Sequence, residues 1–116
     1  MEIQPKKISA PELQDWLKSR SPKPVLVDVR EAEELEIAPF PFENVHMPLS
    51  QASQWKDKLF DYLPSAKPVV VICHAGLRSW NFGVWLIEQQ WDAEVWNLEG
   101  GIDAWSMHID PNVPRY

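Results

Sequence analysis

Apolar positions recur along the chain with two different periods. Leu13, Trp16 and Leu17 fall at i, i+3 and i+4 and predict a helix. Ser9 and Glu12 ahead of them have capping-box spacing, and Pro11 lies in the first turn, where its missing N–H costs little. Pro22 and Pro24 end that helix. Val25-Leu26-Val27-Asp28-Val29 is a β-branched run without alternation, which predicts a strand buried on both faces. Arg30 to Glu36 reads as a short exposed helix whose carboxylates form a solvated face. Prolines alternate through Ala38-Pro39-Phe40-Pro41-Phe42, so this stretch is a loop. Asn44 to Met47 predicts a brief strand stopped by Pro48, and Gln54 to Leu63 a helix ending before Pro64. Pro68 opens a central strand, Val69 to Ile72. A helix is expected from about Ser79 to Gln90, with Trp80, Val84 and Ile87 on one face and Gly83 on that face allowing close approach of a neighbour. Glu94 to Asn97 is a last strand, Gly100-Gly101 breaks it, and a short helix runs through Ala104-Trp105. The stretch from Ile109 to Tyr116 is expected to be extended.

Strands alternating with helices imply an α/β fold: a mostly parallel central sheet flanked by helices on both faces, in one domain over residues 1–116. In such sheets the functional crevice lies beyond the carboxyl ends of the strands. Asp28 to Arg30, His46 and Cys73 to Arg78 all fall at those ends.

Composition narrows the function classes. The formal charge is −6, with no Lys/Arg stripe to replace counterions along phosphates, so no nucleic-acid partner is expected. The seven tryptophans share no spacing and read as packing residues. One cysteine excludes an internal disulfide and suits a reducing compartment. The opening segment, Met1 to Lys7, has no apolar core of signal-peptide length, and no stretch approaches the roughly 20 residues of a membrane span. A soluble, cytoplasmic protein without a membrane partner is expected.

The chemistry converges on Cys73-His74-Ala75-Gly76-Leu77-Arg78, followed by Ser79. The cysteine stands where a buried strand turns into a helix, and there backbone N–H groups and the positive helix end favour a thiolate. Gly76 permits a positive φ, so that successive amides can point inward. A buried structural thiol remains the alternative. Arg78 opposes the helix dipole, which suggests either a clamp for an anionic partner or a pair with a carboxylate such as Asp28 or Glu34. Ser79 reads most simply as a cap, although its hydroxyl can also reach a bound anion. His74 adjoins Cys73 on a tight turn, and such neighbours point apart, so it is not read as the base for the thiol. His46 and His108 are isolated. No spacing fits a metal, and no cofactor is expected.

These residues resemble a known family, the single-domain rhodaneses, which are sulfurtransferases. The segment from Cys73 to Ser79 resembles its active-site loop, with four residues between cysteine and arginine. Val27-Asp28-Val29-Arg30 with Glu33 and Glu34 is similar to its aspartate-x-arginine strand end. Asn44 to Pro48 is similar to its His-Ile-Pro signature, and Val95 to Trp105 to its diglycine-to-tryptophan motif. The likeness spans about residues 8 to 105. It departs at Leu49-Ser50, where Gly-Ala is usual, at Gln90, where a glycine is expected, and in the Pro39-to-Phe42 insert. The resemblance implies a persulfide on Cys73, formed from a small anionic donor such as thiosulfate and discharged to a thiol or to cyanide. A persulfide-carrying protein is a further candidate partner. It also implies that His74, Ala75, Gly76, Leu77, Arg78 and Ser79 form the substrate pocket, with Arg78 orienting the donor. Asp28 and Arg30 would support the loop, as would Gly100 and Gly101. A phosphatase loop needs five residues between cysteine and arginine, so a cysteine-dependent phosphatase is the lesser alternative. A non-catalytic or persulfide-carrying regulatory domain is the other.

Overall fold

A computed structural model describes residues 4–19 and 21–116. Met1 to Ile3, part of the opening segment read above for a signal sequence, lie outside the described residues.

The fold is a parallel sheet in the order β1-β5-β4-β2-β3, formed by β1 (Lys6–Ile8), β2 (Val25–Asp28), β3 (Val45–His46), β4 (Val69–Ile72) and β5 (Val95–Leu98). Helices α1 (Ala10–Ser19) and α6 (Gly101–His108) cover one face. The short α3 (Ala52–Trp55) and α4 (Leu59–Tyr62) and the long α5 (Leu77–Glu88) cover the other. Helix α2 (Ala32–Ile37) follows β2. The expected α/β architecture is therefore present. The central strand β4 is buried throughout, and its side chains alternate between two cores: Val70 and Ile72 join Leu13, Trp105 and Leu98 on one face, while Val69 and Val71 join Trp55, Phe82 and Leu86 on the other. Each such buried aliphatic contributes about 1.5–3 kcal/mol over its exposed state. The strand that leads into the cysteine is thus packed on both faces.

Several local expectations need correction. Strand β1 was not expected: three residues with two exposed lysines are too short to show alternation, and lysines suit the open edge of a sheet. The expected helix from Gln54 to Leu63 is broken. Helical structure starts earlier, with a 3-10 turn at Leu49–Gln51 followed by α3, and a second 3-10 turn at Lys56–Lys58 separates α3 from α4. Helix α5 begins two residues before Ser79 and buries Ser79, Phe82, Gly83 and Leu86, whereas Trp80, Val84 and Ile87 are only partly buried. Gly83 does allow close approach, since a Cβ there would lie 2.7 Å from Cγ of Pro5. Gln90 adopts the left-handed conformation (φ 62°) at the position where a glycine was expected. The insert after α2 is anchored by its aromatics: buried Phe40 and exposed Phe42 both contact the ring of Trp105.

Candidate active site at the end of the central strand

Cys73 directly follows β4 and is 1% exposed. Part of its surroundings is hydrocarbon, because it belongs to the apolar cluster of Val71 and Phe82. The sulfur also meets polar groups. The Gly76 amide donates to Sγ at 3.1 Å, and Oγ of Ser79 lies 3.2 Å away. Gly76, with φ at 109°, is the residue that turns the chain into α5, so the turn aims its own amide back at the sulfur. The positive end of the helix points the same way.

Ser79 does not cap the helix, because Gly76 holds that position and no side-chain cap bond forms. Its buried hydroxyl instead spans Sγ and Oδ1 of Asn97, the latter at 2.5 Å. Asn97 is fixed by two donations from Nδ2, to the Gly76 carbonyl and to Oε2 of Glu99, each at 3.1 Å. Its Oδ1 is thereby turned toward Ser79. The single proton of the serine can go to Asn97 while the sulfur is a thiol, or rotate to the sulfur once it is an anion. Asn97 escaped notice in the sequence. Its signal is a polar residue on a strand whose neighbours Val95 and Leu98 are buried.

The loop carbonyls are also held. Ile102 donates to the Cys73 carbonyl at 2.9 Å and Asp103 to that of His74 at 3.0 Å, so the first turn of α6 grips the loop. This approach leaves no room at Gly101, where a Cβ would lie 2.5 Å from the His74 oxygen and closer still to that of Cys73.

Beneath the loop lies a buried ion pair. Arg30 and Asp28 have no side-chain exposure and meet through Nε at 3.0 Å and Nη2 at 2.8 Å. Nη2 also donates to the Ala38 carbonyl and Nη1 to the Tyr116 hydroxyl. Burial works against the Arg30 charge, but the hydrogen bonds and charges of Asp28 and Tyr116 outweigh it and raise its pKa above the ordinary value. His46 binds the Arg30 carbonyl through Nε2 at 2.7 Å, while His108 sits exposed at the far end of α6.

Arg78 is paired. Its guanidinium forks onto Glu34, Nη1 to Oε1 at 2.6 Å and Nη2 to Oε2 at 2.9 Å. Hydrogen bonds from Arg78 first, and then from the Glu31 backbone and Tyr116, hold Glu34 down to a pKa of about 2 against its burial. Arg78 is raised in return, mainly by Glu34 and to a lesser degree by Cys73. Glu34 is therefore no part of a solvated face. Glu31 is also engaged, bonding the hydroxyl and amide of Ser50 at the surface. His74 stacks on Tyr116, with centroids 4.1 Å apart, while Ala75 and Leu77 are exposed at the rim. Among the described residues, no group of three or more His, Cys, Asp and Glu side chains is placed to hold a metal ion.

The structure thus gathers Cys73, Gly76 and Ser79 around one sulfur, with Asp28, Arg30 and Arg78 in a layer around the loop. Comparison with known proteins places the chain in a family. Residues 9–108 match the model of the rhodanese-like domain. The chain is 40% identical over 91 residues to Rhodanese-like/PpiC domain-containing protein 12, chloroplastic, of Arabidopsis thaliana, covering 78% of this chain and 30% of that one. It is 34% identical over 107 residues to adenylyltransferase and sulfurtransferase MOCS3 of Drosophila grimshawi, covering 88% and 23%. The chain spans less than a third of the length of these curated relatives. A rhodanese homologue from the extremely thermophilic bacterium Thermus thermophilus, 28% identical, superposes with a TM-score of 0.64 over 85% of this chain and 99% of its own.

Proposed function

Because the chain belongs to the rhodanese-like domain family, we propose that it is a sulfurtransferase that carries a sulfane sulfur on Cys73. The observation that supports this most is the sulfur's placement, at the carboxyl end of the central strand with the Gly76 amide 3.1 Å and the Ser79 hydroxyl 3.2 Å from it.

In the first half-reaction the Cys73 thiolate attacks the outer sulfur of a donor such as thiosulfate. A sulfur–sulfur bond forms to Cys73, the donor's sulfur–sulfur bond breaks, and sulfite leaves with the electron pair. In the second, a thiolate or cyanide takes the outer sulfur, and Cys73 departs with the bonding pair as a thiolate. No external electron source is needed. The proton of the resting thiol goes to water, and the Ser79 proton turns from Asn97 to the sulfur. The Gly76 amide holds the negative sulfur, and the exposed Ala75 and Leu77, with His74, line the approach. Arg78 orients an anionic donor through the guanidinium N–H groups that Glu34 does not use. Cys73 must rest as a free thiol between turnovers, which fits a reducing compartment such as the cytoplasm.

A persulfide on a partner protein is a second donor class. It is favoured by the pairing of Arg30 with Asp28 and Arg78 with Glu34, which leaves little unmatched positive charge for a dianion at the loop. Steady-state kinetics with thiosulfate and cyanide test the reading. Parallel double-reciprocal lines are expected, as two separate half-reactions require. Intersecting lines, or undiminished turnover by Cys73→Ser, would show that no enzyme-bound sulfur intervenes.

A further inference from the structure

We propose that Tyr116 is a positioning residue of the sulfur-transfer site, joining the His74 side of the loop to the Glu34–Arg78 fork and so setting how tightly the donor is held; this rests on the sulfur-transfer reading above. The segment after α6 returns to the loop and is fastened as it goes. Val113 is buried in the core beside the sheet, and Arg115 forks onto Asp103 at 2.8 and 3.3 Å. These anchors deliver the tyrosine to the loop. Its ring lies nearly parallel to the His74 imidazole, at 13° and 4.1 Å between centroids. Its hydroxyl accepts from Nη1 of Arg30 at 3.0 Å and donates to Oε2 of Glu34 at 2.7 Å. The phenol is pushed up to about 12, first by burial, so it keeps its proton at neutral pH and continues to donate.

The residue is not there to fill the core, since 36% of its surface is exposed. Instead it links two ion pairs that otherwise share no atom, Asp28–Arg30 beneath the loop and Glu34–Arg78 at its rim. Oε2 of Glu34 is shared between Arg78 and the Tyr116 hydroxyl. Without that hydroxyl the carboxylate loses one of its fixed points, and the guanidinium it carries gains freedom to swing. The same ring supports the side chain next to the nucleophile. A donor approaching Cys73 therefore meets a surface whose charged and aromatic parts are both set by one residue.

The test is Tyr116→Phe beside Tyr116→Ala, with thiosulfate as donor and cyanide as acceptor. Tyr116→Phe keeps the stack and removes both hydroxyl bonds. Since both bonds run to charged groups and part of their strength is lost to reorganisation, KM for thiosulfate should rise about three- to ten-fold, with kcat within about two-fold. Tyr116→Ala should raise KM further and lower kcat as well, because the His74 support goes too. A tyrosine with only a structural role would lower thermal stability and the titre of reactive Cys73, and would leave KM alone. Wild-type protein that takes up sulfur while Tyr116→Phe shows an unchanged KM overturns the proposal only. Wild-type protein that takes up no sulfur overturns the sulfur-transfer reading and this proposal with it.

Discussion

Replacing Gly101 with alanine puts a methyl group where two backbone oxygens already stand. The Cβ would lie 2.5 Å from the His74 carbonyl oxygen and closer to that of Cys73, and neither can rotate away as a side chain would. The residue also has φ at 59°, a left-handed conformation that costs a residue with a Cβ about 1–2 kcal/mol. Relieving the overlap requires α6 to move off the loop, at about 1–3 kcal/mol for an overpacked site. That movement breaks the bonds from Ile102 to the Cys73 carbonyl and from Asp103 to the His74 carbonyl, each about 1 kcal/mol net. Because relaxation trades one cost against another, we expect a loss of about 2–5 kcal/mol in urea unfolding, together with reduced sulfur transfer per folded molecule. Gly100→Ala is the control. It has φ at 76°, but its Cβ would meet the Ala104 methyl at 2.6 Å instead of a loop carbonyl. It should lose stability while each folded molecule keeps its transfer rate. If Gly101→Ala unfolds within about 1 kcal/mol of wild type and transfers sulfur normally, α6 does not brace the loop as described.

Other consequences concern the two ion pairs and the thiol. Asp28→Asn should destabilise by about 3–5 kcal/mol in denaturant, because it strands the unexposed Arg30 charge; a loss under about 1 kcal/mol would mean that the pair is not sealed from water. Glu34 has its pKa lowered from 4.5 to about 2, so its contribution is complete above about 4.5 and is lost as the pH falls toward 2. The Arg78 side chain is 36% exposed, so solvent screening leaves about 1 kcal/mol of that at neutral pH. Glu34→Gln should accordingly unfold at lower urea at pH 7 and show a flatter acid limb than wild type. Identical acid limbs would remove Glu34 from the account. Cys73→Ser should retain the circular dichroism and melting transition of wild type yet transfer no sulfur, and residual turnover at wild-type rate would place the chemistry elsewhere.

Much of the scaffold was legible because its signals are local. The Ser9–Glu12 capping box forms as its spacing predicts, with reciprocal bonds of 2.9 and 3.2 Å. The continuous apolar run at Val69 to Ile72 is the buried central strand, and Cys73 stands at its carboxyl end. What could not be read depends on distant partners. Strand β1 exists because Lys6 to Ile8 find β5 some 90 residues away. The buried face of α5 was misassigned because Trp80 and Ile87 are apolar yet only partly covered, while Ser79 is drawn inside by the sulfur and Asn97. For Glu34 the sequence offered two readings, one charge in a solvated run or a partner for Arg78, and only the fold, which sets the two side chains 2.6 Å apart, decides for the pair. Nothing near Tyr116 in the sequence hints that it returns to His74, since a stack across 42 positions leaves no periodicity.

The most direct measurement is the intact mass of the protein after incubation with thiosulfate. If Cys73 carries the sulfur, wild type gains one sulfur atom, loses it on adding cyanide, and gains none as Cys73→Ser. No gain in mass under conditions where thiocyanate is produced, or the same gain in Cys73→Ser, would contradict the account.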